Sequence, residues 1–347
     1  MAGYLIIDHS PNLLEYKMKT IDVYGIGAAL VDTEIEISDA ELATFGIDKG
    51  VMTLVDEARQ LELINHLDNH LVMAKRASGG SAANSIMAVA SFGGKAYQSC
   101  KVADDDNGRF YLDDLTKAGV SHNGIDELPE GTTGKCLVLI TPDAERTMNT
   151  YLGISETICR KNLNLDAINN AKYVYTEGYL VTSPTGKDAA IECRQHAEQA
   201  GTKTAFSLSD PGMVEFFRDG LQEMIGERVD LLFCNKDEAF GWTGETTLDA
   251  AVESMKQSAT TFAITLGAEG ALIYDGESTH RIAPTAVTAV DTNGAGDMFA
   301  GAFLYGITNG MDYRQAGELA SVASAAVVTQ FGPRLAVEQH RSLLQKS

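Results

Sequence analysis

Positive charge is what this chain has least of: 27 lysines and arginines stand against 48 aspartates and glutamates, a formal net charge of −21. A field of that sign argues against nucleic acid and anionic membrane as partners. Any polyanionic ligand has to be held against it by local devices: free amides, a helix N-terminus or a divalent metal. Closely spaced cysteines are missing too. Cys100, Cys136, Cys159, Cys193 and Cys234 show no C-x-x-C spacing, which reads as reduced, packing thiols in a cytoplasmic protein. No apolar run approaches membrane-spanning length, and no basic region followed by a long apolar one opens the chain, so a soluble intracellular protein is expected. A complete dinucleotide fingerprint is also absent. The strand Ile21–Tyr24 runs into Gly25-Ile26-Gly27, but position 30 is leucine, and Asp32 to Ile37 alternates like a strand rather than opening a helix. The run Asp104-Asp105-Asp106-Asn107-Gly108 fails as a calcium loop, because position 12 counted from Asp104 is Leu115. It reads as a solvated turn before a helix over Phe110–Lys117.

What is present, in a chain long enough for one large domain with an appendage or for two, is a glycine-rich turn. Asp291-Thr292-Asn293-Gly294-Ala295-Gly296-Asp297 is followed directly by Met298-Phe299-Ala300-Gly301-Ala302-Phe303. Before it, Ala286–Val290 is β-branched and small and reads as a strand. After it, small and apolar residues at helical spacing run to about Tyr305, with Asn309-Gly310 as a stop. Two glycines flanking Ala295 leave successive backbone N–H groups unobstructed above a helix N-terminus, a ready anion site. Asp297 is electrostatically awkward beside such a nest. Its natural job is to take a proton from a hydroxyl that attacks a phosphorus held there; the plain alternative is an ordinary aspartate favoured by the helix dipole.

The rest of the chain supplies a frame for that turn. Between about 28 and 80 the pattern gives short strands, a helix over Glu57–Asn69 and a strand over Leu71–Arg76, while Tyr4-Leu5-Ile6-Ile7 has the character of an edge strand. Ala77-Ser78-Gly79-Gly80-Ser81-Ala82-Ala83-Asn84-Ser85 then enters a helix running to about Phe92. Ser81 or a neighbour can cap it, and the paired glycines allow a ligand close to the backbone. Gly134–Tyr151 reads as a hairpin around Pro142-Asp143 and carries Arg146. After about 170 the chain alternates strand and helix: Lys172–Thr176, helix Lys187–Ala200, Lys203–Leu208, helix Pro211–Ile225, Val229–Cys234. That is a parallel sheet covered on both faces, with ligands at the carboxyl ends of its strands. At one such end Asn235 and Glu238 lie on one helical face and offer oxygens, directly or through water, to a hard cation such as magnesium. Strands Thr261–Leu266 and Ala271–Tyr274 flank Thr265-Leu266-Gly267-Ala268-Glu269-Gly270, and a helix over Tyr313–Thr329 ends near Gly332.

The string from Asp291 to Asp297 resembles the C-terminal signature of the ribokinase-like (PfkB) family of sugar and nucleoside kinases, and in the adenosine kinase branch it is often the same letter for letter. Gly79, Gly80 and Asn84 are similar to the N-terminal signature G-G-x-x-x-N, Asn235 to Glu238 match its N-x-x-E motif, and Thr265 to Gly270 match its T-x-G-x-x-G stretch. The four segments fall in the family's order, and the resemblance covers nearly all of the chain from residue 21. It implies one ribokinase-like kinase domain over 1–347. The implied architecture is a three-layer α/β/α fold with a mainly parallel central sheet plus a small β-sheet lid. The main part takes about 21–27, 80–133 and 152–347, the lid about 28–79 and 134–151, and 1–20 form an N-terminal extension.

The same resemblance implies roles. Asp297 is the catalytic base, and the amides of Gly294, Ala295, Gly296 and Asp297 stabilise charge on the transferring phosphoryl group. Asp32, Gly79, Gly80 and Asn84 orient the acceptor, with Arg146 on the lid in reach of phosphate oxygens. Asn235, Thr265, Gly267, Gly270 and Asn293 serve ATP, and Glu238 with Asn235 serves Mg2+. A monovalent cation such as K+ is held in relatives mostly by backbone carbonyls near positions matching Asp291 and Gly332. The expected partners are a small sugar or nucleoside and ATP, with no nucleic acid and no membrane, on a monomer or homodimer. Tyr179 and Leu180 are placed to give a base apolar contact. One departure stands out: the adenosine kinase branch usually has Asn four residues before the acidic residue matching Asp32, and this chain has Ala28. The acceptor therefore stays open among adenosine, other nucleosides and ketose or aldose sugars. The alternative class is a non-catalytic nucleoside- or sugar-binding sensor of the same fold, against which Asp297 and its complete turn argue.

Overall fold

The computed structural model describes residues 19–67, 75–124, 128–143 and 145–345. The expected edge strand at Tyr4–Ile7 lies outside them. In chain order the strands are β1 Ile21–Ile26, β2 Leu30–Glu36, β3 Met52–Leu54, β4 Lys75–Gly79, β5 Ala96–Ser99, β6 Val120–His122 and β7 Gly134–Ile140. They continue with β8 Arg146–Tyr151, β9 Ala171–Glu177, β10 Lys203–Ser207, β11 Val229–Asn235, β12 Ala259–Thr265, β13 Ala271–Tyr274 and β14 Thr279–Ile282.

Among the described residues these strands make two sheets. The larger has the order β14-β13-β12-β11-β10-β9-β1-β5-β6. From β12 to β6 all neighbours are parallel; β13 alone runs against its neighbours. Successive side chains leave opposite faces of a strand, and that alternation builds two cores. Val23, Leu231 and Ala263 join helices Ser81–Ser91, Ala295–Thr308 and Tyr313–Val327 on one face. Tyr24, Leu232 and Ile264 join helices Pro184–Gln199 and Arg218–Ile225 on the other. Parallel strands covered on both sides give an α/β fold whose open end is the row of strand carboxyl termini.

The smaller sheet has the order β3-β8-β7-β2-β4. On β7 the alternation again decides the faces. Leu137 and Leu139 point to the smaller sheet's own helices Asp39–Thr44 and Glu57–His66, in a cluster with Ile35, Leu42 and Leu63. Cys136, Val138 and Ile140 point the other way, with Leu30 and Met148.

Three expectations are corrected. Ala286–Val290 is not a strand. It runs exposed from β14 towards the nest, touching the end of the neighbouring helix through Val290 N to Val328 O, 2.7 Å. β-branched residues favour extended backbone, but a strand needs a partner edge. The helix expected over Pro211–Ile225 is two helices, Pro211–Phe216 and Arg218–Ile225, broken at Phe217 with φ −127° and ψ 24°. The acidic turn at Asp104–Asp106 is not simply solvated: Asp105 caps the helix Asp106–Lys117 through Gly108 N at 2.7 Å and accepts from Thr133 N at 2.8 Å, tying the turn to the residue before β7.

Candidate active site

Residues of both sheets line a cavity of about 380 Å³ at the carboxyl ends of the main strands. At its foot the helix Ala295–Thr308 begins. Gly294 is its N-cap, with φ 71° and ψ 3°; that left-handed conformation suits glycine, and a Cβ here would overlap the Pro333 carbonyl. Gly296 differs: a Cβ there would meet nothing within 4 Å. Protein packing therefore requires glycine at 294, whereas at 296 the missing side chain leaves open space above the helix N-terminus, where an anion is favoured. Asp297, two residues on, accepts from Ser81 Oγ on Oδ1 at 2.6 Å and from Asn84 Nδ2 on Oδ2 at 2.9 Å. Burial pushes its carboxyl above the ordinary range, opposed by those two hydrogen bonds.

Ser81 and Asn84 open the helix Ser81–Ser91, whose N-cap Gly80 has φ 93°. A Cβ on Gly80 would overlap the Ala28 carbonyl, and one on Gly79 would overlap the Asp32 carboxyl. The paired glycines thus let β4 and the helix start press against β2. Asp32 lines the cavity, its carboxyl pushed up to about 7 by burial and then by Glu34, with Arg334 and Arg146 opposing. Asn84 Oδ1 is buried and has no hydrogen-bond partner among the described residues, so one acceptor atom stands ready beside Asp297 for a ligand hydroxyl.

Glu177, at the carboxyl end of β9, is the residue that sequence reasoning missed. It is 1 % exposed, lines the cavity, and accepts from Ala28 N at 2.7 Å and from Ala82 N at 2.6 Å. One carboxylate therefore ties the start of the segment bearing Asp32 to the start of the helix bearing Asn84. Burial pushes it up to about 7 against those two amides. The available signal was positional: an acidic residue ending a buried strand of a parallel sheet. Ala28 itself lines the cavity and offers no polar side chain there, while Tyr179 and Leu180 line it from beyond β9.

On the other flank, Asn235, Glu238, Thr265 and Asn293 line the cavity, whereas Gly267 and Gly270 lie outside its lining, in the turn after β12. Asn235 and Glu238 form a capping box: Asn235 N and Nδ2 donate to Glu238 at 2.9 and 2.7 Å, and Glu238 N returns to Asn235 Oδ1 at 2.8 Å. Both Glu238 oxygens are engaged, and burial holds its carboxyl at about 7. That arrangement fits magnesium through water rather than directly, and no group of three or more acidic, histidine or cysteine side chains among the described residues forms a metal cage.

Arg146, at the head of β8, is 5 % exposed; it lines the cavity while its guanidinium is paired to Asp291 and lies 3.9 Å from Glu34. Asp291 is fully buried and outside the cavity lining. Its oxygens also accept Asn293 N at 2.9 Å and Gly332 N at 2.8 Å. The Asp291 carboxylate is therefore already engaged by a guanidinium and two amides, contacts that do not involve the backbone carbonyls expected to frame a monovalent cation.

Comparison with known proteins gives the family and the fold. Residues 49–340 match the family described as pfkB family carbohydrate kinase. The chain belongs to the PfkB family. This PfkB kinase superposes on the crystal structure of adenosine kinase from Sinorhizobium meliloti with TM-score 0.88 at 34 % identity, over 94 % of this chain and 100 % of that one. A probable sugar kinase from Rhizobium etli gives TM-score 0.89 at 32 % identity, covering 95 % and 99 %. The adenosine kinase of Saccharomyces cerevisiae is 28 % identical over 338 residues, 90 % of this chain and 96 % of that protein. Members of the family are phosphotransferases acting on hydroxyl groups, so the PfkB kinase is an enzyme of that class with adenosine kinase-like relatives, and the sensor reading is without support. ATP is the phosphoryl donor expected of the family. No helix among the described residues is long and apolar enough to cross a membrane.

Proposed function

We propose that this kinase transfers the γ-phosphoryl group of MgATP to the CH2OH hydroxyl of an adenosine-like nucleoside. The observation that carries the reaction is Asp297 set beside the Gly294–Asp297 amides with Ser81 and Asn84 on its two oxygens. The acceptor hydroxyl lies against Asp297 and gives it its proton as the oxygen attacks the γ-phosphorus. The bond to the β–γ bridging oxygen breaks and ADP leaves. The nest amides meet the charge on the phosphoryl oxygens in flight. Asp32, Gly79, Gly80 and Asn84 orient the acceptor. Asn235, Thr265 and Asn293 flank the nucleotide, with Gly267 and Gly270 shaping the turn beside it. Glu238 and Asn235 would hold magnesium through water, and the ion would supply neutralisation of phosphate charge.

Two things favour a nucleoside over a free sugar. Beyond its foot the cavity wall includes Leu30, Met52, Met148, Leu152, Tyr179 and Leu180, an apolar surface for the face of a base, with Ser155, Glu156, Thr182 and Ser183 offering polar groups to its edge or to hydroxyls. Two of the similar proteins are named adenosine kinases, while a third is named a probable sugar kinase. Ala28 offers the acceptor no side-chain hydrogen bond, and its amide is engaged by Glu177. The smaller sheet acts as a lid whose closing excludes water that would hydrolyse ATP. The test is ADP release from MgATP by the purified protein against nucleosides and free sugars. Stimulation by adenosine above every sugar is the expected result. Stimulation by a ketose or aldose alone overturns the nucleoside assignment, and silence across the panel overturns the kinase reading.

A further inference from the structure

Asp291 poses an electrostatic question that its hydrogen bonds leave open. The side chain has no exposed surface. A buried carboxylate is strongly disfavoured unless a positive charge accompanies it. The amides of Asn293 and Gly332 give it donors at 2.9 and 2.8 Å but no net charge. The charge comes from across the cavity: Arg146, carried on β8 of the smaller sheet, pairs with Asp291 Oδ1 and keeps Glu34 within 3.9 Å.

The neighbourhood of that guanidinium is acidic on every side. Glu34 and Asp32 come from β2, Asp291 from the loop before the nest, and Glu145 precedes Arg146 in the chain. Burial lowers the guanidinium to about 10, opposed first by Glu34 and then by Asp32, so it is charged at neutral pH. What Asp291 holds in turn is the nest. Through Asn293 N it fixes the residue before Gly294, and through Gly332 N it fixes the segment whose next residue, Pro333, packs on Gly294.

We infer that Arg146 is the resident cation of this loop: a positioning residue that supplies, from the protein itself, the charge a monovalent ion would otherwise bring to Asp291, so that nest geometry is independent of K+. The inference rests on the reading of the nest as the phosphoryl site, but its main readout does not. It also makes the smaller sheet part of the nest's support, because the charge arrives on β8.

The experiment is thermal unfolding of the full chain in KCl against tetramethylammonium chloride at equal ionic strength, for the wild type, Arg146→Met and Arg146→Lys, with MgATP turnover measured alongside. The wild type is expected to show the same Tm in both salts. Arg146→Met strands a buried carboxylate and lowers Tm in tetramethylammonium by several degrees. KCl then restores part of that loss, because an ion can enter the vacated position and bind the folded state. Arg146→Lys keeps a charge in place and stays indifferent to K+.

A wild-type Tm that rises with K+ overturns the inference. So does an Arg146→Met variant whose lowered Tm ignores K+, since that is what loss of packing alone produces. If Arg146→Met does not fold, Arg146→Gln takes its place with the same two outcomes, partial recovery of Tm by K+ or none. Absence of turnover in every salt, with the Tm pattern intact, counts against the kinase reading alone.

Discussion

Ser81 Oγ donates to Asp297 Oδ1 at 2.6 Å, joining two segments 216 residues apart. A hydrogen bond to the charged form of a carboxylate holds its pKa down, whereas burial raises it, and Asp297 is subject to both. In the role of base proposed for it, it works only when unprotonated, so kcat/KM is expected to fall as pH drops through its pKa. Ser81→Ala removes one restraint. The acid limb is expected to move to higher pH, by about one unit for a charged hydrogen bond of ordinary strength. The check is a pH profile of kcat/KM for both proteins, at saturating MgATP. Coincident limbs would show that Ser81 does not act through Asp297.

Asp297→Asn tests the base directly. The amide keeps the shape and can still meet Ser81 and Asn84, but it accepts no proton. Turnover should fall roughly 10²–10⁴-fold while nucleotide binding and the fold persist. Single-turnover kinetics beside an ATP titration separate the two. Activity within a few-fold of wild type removes Asp297 from the role.

The frame of this site was legible because it rests on local signals. Glycines at 294 and 80 mark positions where backbone takes a positive φ and meets a neighbouring carbonyl, and strand–helix alternation after 170 announces a parallel sheet. What stayed hidden depends on long-range pairing. Glu177 looks like any acidic residue at a strand end until the amides of Ala28 and Ala82 are seen to converge on it. The Arg146–Asp291 pair joins a strand of the smaller sheet to the loop before the nest, and a hairpin arginine is more often solvated than paired. Ala286–Val290 misled for the opposite reason: its local preference is for extended backbone, and tertiary structure offers it no edge to join.

Gly80→Ala should damage the acceptor site through the backbone. The residue has φ 93°, and a Cβ there overlaps the Ala28 carbonyl, which is backbone and cannot swing aside. A strained non-glycine residue of this kind costs on the order of 1–3 kcal/mol. The shift displaces Ala28 and the start of the helix bearing Ser81 and Asn84 together. Urea denaturation should report the loss of stability, and acceptor KM should rise more than the KM for ATP. Equal effects on the two KM values would argue against a role confined to the acceptor.

Glu177→Gln separates the carboxylate's charge from its shape. The native carboxylate serves Ala28 N and Ala82 N with one oxygen each. An amide has one oxygen to offer, and its NH2 faces the second donor, so one buried N–H loses its acceptor at a cost of about 1–3 kcal/mol. The pH dependence adds a second signature. Glu177 is held at about 7 in the folded protein by burial, above its model-peptide value of 4.5. Between those values the native state binds the proton more tightly than the unfolded chain, so this residue's contribution is complete below about 4.5 and is lost as pH rises through about 7. Asp32, also held at about 7, contributes in the same direction. Wild-type stability measured by urea unfolding is therefore expected to fall between pH 5 and 8, and Glu177→Gln should fall less steeply because one of the two titrating groups is gone. Parallel slopes in the two proteins would mean that Glu177 is not the group carrying a proton near neutrality, and that its two amide bonds hold it charged throughout.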